Sequence, residues 1–316
     1  MGNAACLTVC VCTHNRPDHL AACLTGLASQ TLPADTFEIL VIDSGSVSAH
    51  AMALRERVSA VANARLLRID EPGLCRARNL GAREARAEYI AYVDDDAVPE
   101  PGWAQSILEA IEQARHPGLL SGRILPAWEI PLPDWWPERL RGVLSINEAE
   151  GRGPFGSPDL PPRLEPCGAN LIVHTSSVLT LGGFWTGRYG DTLLSDDEVQ
   201  LASRMRQAGL ATWYDSRIVV RHHIPAGRLT PRWLLARMYW QGISAVITRR
   251  LLDRRHEIWA ELPRRIVVAL LFAPLWLVPR TTPRLIALRW RAAYAAGFIR
   301  AAMRWRVSGL DLIVTP

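Results

Sequence analysis

The sequence predicts an α/β protein with a mostly parallel sheet flanked by helices, and three observations predict it. Apolar runs of strand length alternate with helical stretches through the first 114 residues. The run ahead of the Asp94-Asp95-Asp96 cluster is wholly apolar, as a buried strand is. Two of the runs end on acidic residues, Asp43 and Asp94 to Asp96, at the sheet edge where ligands bind in such folds.

The elements follow in order. Leu7 to Cys12 reads as a buried strand, broken by Thr13-His14-Asn15-Arg16-Pro17. A helix over roughly Asp18 to Gln30 places Leu20, Cys23, Leu24 and Leu27 on one face. Phe37 to Ile42 is a second strand, stopping at Asp43-Ser44-Gly45-Ser46, and a helix covers about Ser48 to Ala62. Ala64 to Ile69 is a third strand, Gly73 to Ala87 a loop running into a helix, Tyr89 to Val93 a fourth strand, and Pro101 to Ala114 a helix. Pro126 to Pro166 is rich in Pro and Gly and holds Trp128, Trp135 and Trp136; it reads as long loops with short elements, of a length that is usually functional or disordered. Asn170 to Val173 is a strand, Asp197 to Ala208 a helix, and two short strands cover Thr212 to Tyr214 and Ile218 to Val220. After Pro231 the chain turns helical and basic. Residues 1–225 are expected to form one sheet-bearing domain that includes the 126–166 loop region, and 226–316 a helical, Arg-rich region.

The formal net charge is +5, and all basic residues are Arg. From Arg221 onward, 17 Arg stand against four acids, a bias suited to phosphates or an anionic membrane surface. Nucleic acid is not an expected partner, because these Arg are interleaved with apolar residues. The six Cys form no CxxC pair and read as reduced thiols of a cytoplasmic protein. No signal peptide is expected, because Leu7 already opens a strand-like run.

Three adjacent carboxylates repel one another, and a divalent cation relieves that repulsion; hard oxygen ligands suit Mg2+ or Mn2+. A solvated acidic turn is the bland alternative. Asp43 reads either as an Asx-type turn or as a carboxylate meeting a base or ribose. Arg76 and Arg78, in Gly73-Leu74-Cys75-Arg76-Ala77-Arg78-Asn79-Leu80-Gly81, suit a diphosphate at a helix N-terminus, although the segment is neither GxGxxG nor a P-loop. Ser195 and Glu198 fit the capping box S-x-x-E, while Asp197 and Glu198 also suit a general base. His222 and His223 follow a strand, where one of them suits a metal.

Together these segments resemble glycosyltransferase family 2. Val9 to Arg16 resembles the family's strand followed by T-x-N-R, Val41 to Ser46 its V-D-x-G-S, Gly73 to Gly81 its G-x-x-x-A-R-N-x-G, and Val93 to Pro99 its D-x-D with a following Pro. Pro166 to Asn170 resembles its G-A-N segment, Asp197 to Leu201 with Arg204 and Gly209 its E-D-x-x-L…R…G, and Val219 to His223 its late His. The order holds over roughly residues 7 to 225.

The resemblance implies a GT-A fold, a Rossmann-like mostly parallel sheet flanked by helices, with residues 1–225 as the catalytic domain, 126–166 as its acceptor-side loop region and 226–316 as a helical C-terminal extension. It implies an inverting transferase acting on a nucleoside-diphosphate sugar, with a glycan, lipid-linked or small-molecule acceptor, in cell-surface glycan or natural-product glycosylation. Thr13, Asn15, Arg16, Asp43, Arg78, Asn79, Asp94 and Asp95 would line the donor site. Asp94, Asp96 and His222 would hold Mg2+ or Mn2+. Aligning on Leu201 and Arg204 puts Glu198 at the base position, with Asp197 the alternative because the family's Glu-Asp is here Asp-Glu. The family's processive Q-x-x-R-W is absent: Arg289-Trp290 has Ile286 and Arg304-Trp305 has Ala301 where Gln would stand. A single-addition enzyme is expected; a nucleotidyltransferase or an inactive sugar-nucleotide binder are the alternatives.

At the C-terminus, Ile266 to Val278 is uncharged but interrupted by Pro274 and shorter than the ~20 residues of a membrane span. Arg284 to Arg306, with Leu288, Trp290, Tyr294, Phe298 and Trp305, reads as an interfacial helix. The expected location is cytoplasmic, with peripheral contact on the inner face of an anionic membrane.

Overall fold

The computed structural model describes residues 5–187, 194–278 and 282–308. The chain divides into two compact units. The first comprises Met1–Ala127, Ser145–Thr186 and Leu201–His223; the second comprises Trp128–Leu144, Gly187–Gln200 and Ile224–Pro316. Of the residues expected to lie with the N-terminal fold, 128–144 and the described 194–200 fall in the second unit.

The first unit is built on a sheet of β1 (Leu7–Thr13), β2 (Phe37–Ser44), β3 (Ala64–Ile69), β4 (Tyr89–Asp94), β5 (Ala97–Pro99), β6 (Leu119–Trp128), β7 (Arg152–Pro154), β8 (Asn170–His174) and β9 (Thr212–Ile224). Its order is β3-β2-β1-β4-β8-β6-β9-β5, with β7 beside β9. β1 to β4 pair in parallel, as the sequence predicts. The sheet then becomes antiparallel at β4–β8, β8–β6, β9–β5 and β9–β7, so it is mixed rather than mostly parallel. The two short strands expected around Trp213 and Val219 are one strand, β9. β6 has no counterpart in the sequence reading, because Ser121, Gly122, Arg123 and Pro126 interrupt its apolar pattern.

Helices cover both faces. Val9 and Val11 of β1 pack with Ile39 and Val41 on one side, against α1 (Pro17–Ala28), α2 (Ser48–Ser59) and α4 (Trp103–Gln113). Cys10 alternates with them and packs with Leu40, Ile42 and Tyr92 on the other side. There it meets Ala77 of α3 (Leu74–Glu84), Val178 of α5 (Thr175–Thr180), and Leu201, Ala202 and Met205 of α6 (Asp197–Gln207). Strands covered on both faces must be apolar throughout, which is why β1 and β4 are legible as unbroken runs.

Asn170 ties the antiparallel half together. Its side-chain amide donates to the carbonyls of Arg123 in β6 (3.0 Å) and Ile218 in β9 (2.8 Å), and its Oδ1 accepts from Trp103 Nε1 at 2.9 Å. Asn170 is fully buried, so no water replaces these bonds. Asn170→Leu strips the Trp103 N–H of its acceptor and two carbonyls of a donor. We expect a loss of about 3 kcal/mol or more in chemical denaturation; a loss below about 1 kcal/mol would show that the network is dispensable.

The second unit contains α7 (Pro231–Leu251), α8 (Arg255–Phe272) and α9 (Pro283–Ser308). α7 and α9 cross at glycines: a Cβ on Gly242 would strike the Tyr294 carbonyl, and one on Gly297 the Tyr239 carbonyl. α9 is therefore not the surface-lying helix expected over Arg284 to Arg306. Ile286, Ala292, Ala293, Ala295, Phe298, Ala301 and Ala302 are buried, and α9 packs on both α7 and α8. Its apolar residues serve two neighbours instead of one membrane-facing stripe. Trp136 also lies in this unit, 5% exposed, between Trp135 and Trp233 at centroid distances of 5.4 and 6.4 Å. Among the described residues no helix is long and apolar enough to cross a membrane.

Candidate active site

Parallel pairing brings the acidic strand ends to one level. In the register of the sheet, Thr13 of β1 lies opposite Asp43 of β2, and Cys12 lies opposite Asp94 of β4. The next loops are then stitched together by polar bonds. Asn15 adopts a left-handed backbone (φ 57°); its N–H donates to Ser46 Oγ at 2.8 Å, and its Oδ1 accepts from the Val47 N–H at 2.8 Å. The preference of Asn for left-handed turns explains its place here.

Asp43 is 1% exposed and fully engaged. Its Oδ1 accepts from the Ser46 N–H (3.0 Å), the Asx-type turn weighed from the sequence, and its Oδ2 accepts from Arg68 Nη1 at 2.5 Å. Arg68 was not singled out by sequence reasoning. The available signal was its position at the end of β3, where it sits opposite Asp43 in register. A nucleoside reaching Asp43 would have to share that carboxylate with Arg68.

The three adjacent acids separate into distinct environments. Asp95 is buried and turns back to β1: its Oδ2 accepts from Thr13 Oγ1 at 2.7 Å and its Oδ1 from Arg16 Nη1 at 3.3 Å. Burial pushes its carboxyl up to about 6, against the Thr13 hydrogen bond, with the charge of Asp96 adding to the rise, Arg16 opposing it and Asp94 adding further. Asp96 accepts from Arg16 Nη1 at 3.2 Å and lies 3.3 Å from His222 Nε2. Asp94 is the most open of the three, 31% exposed, and meets Arg78 Nη2 at 3.5 Å.

His222 reaches this edge because β9 pairs with β5, which places it opposite Ala97. It is 1% exposed, and its Nδ1 has no hydrogen-bond partner among the described residues. One ligand atom from each of Asp94, Asp96 and His222 can be drawn so that all lie within 4.8 Å of one another. Two carboxylates that repel and an imidazole with a buried, unpaired nitrogen fit a divalent cation: two hard oxygens suit Mg2+ and Mn2+, and the imidazole favours a transition metal such as Mn2+.

Arg78 is 3% exposed. Its guanidinium lies over the Phe184 ring at 5.4 Å from the centroid, and its carbonyl accepts from Tyr92 Oη at 2.8 Å. Gly168 makes room for it, since a Cβ there would overlap the guanidinium. We expect Gly168→Ala to push Arg78 away from Asp94 and to weaken binding of nucleoside diphosphates about tenfold, measured by titration calorimetry; unchanged affinity would exclude Arg78 from the site. Asn79 serves the same corner from behind. Its amide donates to the Phe184 carbonyl (2.8 Å) and accepts from the Phe184 N–H (2.7 Å), so both ends are committed to backbone.

Asp197 and Glu198 open α6 and belong to the second unit. The expected capping box does not form. Asp196 has φ 76°, so the helix begins at Asp197, one residue too late for Ser195 to be its cap, and the Ser195 hydroxyl instead donates to Gln241 Oε1 at 2.9 Å. Asp196 accepts from Gln241 Nε2 at 2.8 Å, and burial raises its carboxyl above the ordinary range. A non-glycine residue in this conformation is a strained feature of the kind found at functional sites. Asp197 and Glu198 fall in the first helical turn, where helix dipoles favour carboxylate charge.

A mixed sheet with helices on both faces, with an acidic metal-type cluster at the ends of its parallel strands, defines the GT-A class. Solved structures of that class agree. The mannosyltransferase PcManGT from Pyrobaculum calidifontis, determined in complex with GDP-Man and Mn2+, superposes with a TM-score of 0.59 over 97% of this chain and 88% of its own, at 17% identity. TarS 1-349 from S. aureus, in complex with UDP, gives a TM-score of 0.52 over 98% of this chain and 94% of its own, at 14% identity. These likenesses show the fold.

Residues 8–142 match the family model described as Glycosyl transferase family 2. Among curated relatives, the glucosyl-dolichyl phosphate glucuronosyltransferase of Haloferax volcanii is 28% identical over 175 residues, 54% of each chain. The chondroitin synthase of Escherichia coli is 34% identical over 119 residues, 37% of this chain and 17% of its own. The chain thus spans about half the length of the first of these relatives and a smaller share of the second.

Proposed function

We propose that the protein transfers a sugar from a nucleoside-diphosphate sugar to an acceptor hydroxyl by a metal-dependent, inverting single displacement. The observation that carries this reading is the convergence of Asp94, Asp96 and the half-unpaired His222 beside Arg78 at the parallel strand ends. Its support from relatives is the match of residues 8–142 to the Glycosyl transferase family 2 model, and a fold shared with proteins solved with GDP-Man and Mn2+ or with UDP.

Asp94, Asp96 and His222 would hold Mn2+ or Mg2+, which when bound neutralises negative charge growing on the departing diphosphate. Arg78 adds a fixed positive charge from a buried, preorganised position. Asp95 fixes Arg16 and Thr13 in place, so its role is to shape the donor site. Asp43 and the turn at Ser46 face the nucleoside, and Arg68 sets how much of Asp43 is offered to it. Glu198, with Asp197 as alternative, takes the proton of the acceptor hydroxyl as the new bond forms. Attack from the face opposite the leaving group inverts the anomeric centre. Asn79 holds Phe184 beneath Arg78.

The acceptor belongs to a glycan, a lipid or a small natural product, and addition is non-processive. The curated relative named as acting on a dolichyl phosphate glycolipid favours a lipid-linked acceptor. The enzyme would work in the cytoplasm against the inner face of a membrane. Product stereochemistry, followed by proton NMR from the first turnover, tests the mechanism: an inverted anomeric configuration is expected, and a retained one would refute it. Metal-dependent donor binding without transfer to any acceptor or to water would favour an inactive binder.

A further inference from the structure

α8 carries an apolar face that remains exposed among the described residues. On a helical wheel His256, Trp259, Ala260, Pro263, Arg264, Ile266, Val267, Leu270 and Leu271 fall within one sector of the helix, and all are exposed. Leu270 is 70% and Leu271 68% exposed, and the apolar run continues into the turn Ala273–Leu277, where Leu277 is 86% exposed. Arg289, buried on α9, holds this turn by donating to the carbonyls of Leu275 and Val278. The turn is thus anchored to the helices beneath it. Contiguous exposure of large apolar side chains on this scale marks an interaction surface.

The charge pattern selects the partner. Glu257 and Glu261 lie outside the sector and pair with Arg249, Arg254 and Arg265. The face itself carries no acid; Arg264 lies at one margin and Arg255, 3.9 Å from the exposed Asp253, at the other, with His256 at its N-terminal end. A two-fold dimer through this face would set its own cationic edges near one another. An anionic bilayer meets both features: headgroups take the Arg, the acyl boundary takes Val267, Leu270 and Leu271, and Trp259 has the amphipathic ring suited to the interface.

We propose that the α8 face and its following turn, Trp259 to Leu277, dock the protein on an anionic lipid bilayer without crossing it. This deepens the peripheral placement proposed above by naming its surface, which is α8 and not α9, and it does not depend on the transfer reaction. The test is co-sedimentation of the full chain with phosphatidylcholine vesicles that do or do not contain phosphatidylglycerol. Binding is expected with phosphatidylglycerol and much less without it. Leu270→Ser with Leu271→Ser is expected to lower the partition coefficient by more than about tenfold, and Arg264→Glu to lower it severalfold, with melting temperatures unchanged because all three residues are exposed. Sedimentation of the double variant equal to that of the unaltered chain would overturn the proposal. So would absence of vesicle binding together with a concentration-dependent dimer that the double variant abolishes; that outcome would assign the face to a second copy. No sugar donor is present in this assay, so its failure leaves the proposed transfer reaction untouched.

Discussion

Asp96→Asn is expected to cut turnover by at least about three orders of magnitude while leaving the fold intact. Asp96 is where the charges converge: it lies 3.2 Å from Arg16 and 3.3 Å from His222 Nε2. The amide is isosteric, so packing against β9 survives, but one anionic ligand is lost. The same substitution relieves repulsion within the acidic cluster, and the metal-free variant is expected to melt no lower than the parent. That combination distinguishes a ligand from a structural residue. His222→Ala is expected to weaken Mn2+ binding as well; His222→Gln, which keeps a polar side chain but replaces the imidazole, should not restore it. Turnover by Asp96→Asn within about tenfold of the parent would remove Asp96 from the metal site.

Glu198→Gln is expected to lower turnover by about two to four orders of magnitude with donor binding unchanged, since the base acts on the acceptor and not on the diphosphate. Asp197→Asn is expected to have a smaller effect. The reverse ranking would assign the base to Asp197, which the inverted Asp-Glu order keeps open. Near-normal turnover in both would exclude the start of α6 from catalysis. The capping box had offered Glu198 a purely structural role, and α6 begins too late for that role. A loss of stability in Glu198→Gln is therefore not expected from helix capping.

The parallel half of the sheet was legible because burial on both faces demands uninterrupted apolar runs, and β1 to β4 each end within a residue or two of their predicted bounds. The antiparallel half was not. β6 carries Ser121, Gly122 and Arg123 in mid-strand, so no periodicity announces it, although Ser121 is buried and hydrogen-bonded to the Asn170 carbonyl. At the site, the acidic cluster, Arg78 and His222 were recognisable by type and order. Arg68 was missed because its importance comes from strand register, which a single sequence does not print. The individual fates of Asp94, Asp95 and Asp96 were equally hidden, since they depend on which side of the β4–β5 turn each side chain leaves. α9 was misread because Arg interleaved with apolar residues describes an interfacial helix and a helix packed between two neighbours alike. The exposed face lay one helix earlier, in the run that Pro274 had made look unremarkable.

In the proposed reaction a divalent cation held by Asp94, Asp96 and His222 couples the protein to a nucleoside diphosphate. Titration calorimetry of a panel of nucleoside diphosphates, in Mn2+ and then in EDTA, tests it most directly. Binding of at least one nucleotide in Mn2+, lost in EDTA and lost in Asp96→Asn, is the predicted result. Equal affinity with and without the cation, or metal-dependent binding that survives Asp96→Asn undiminished, would contradict it.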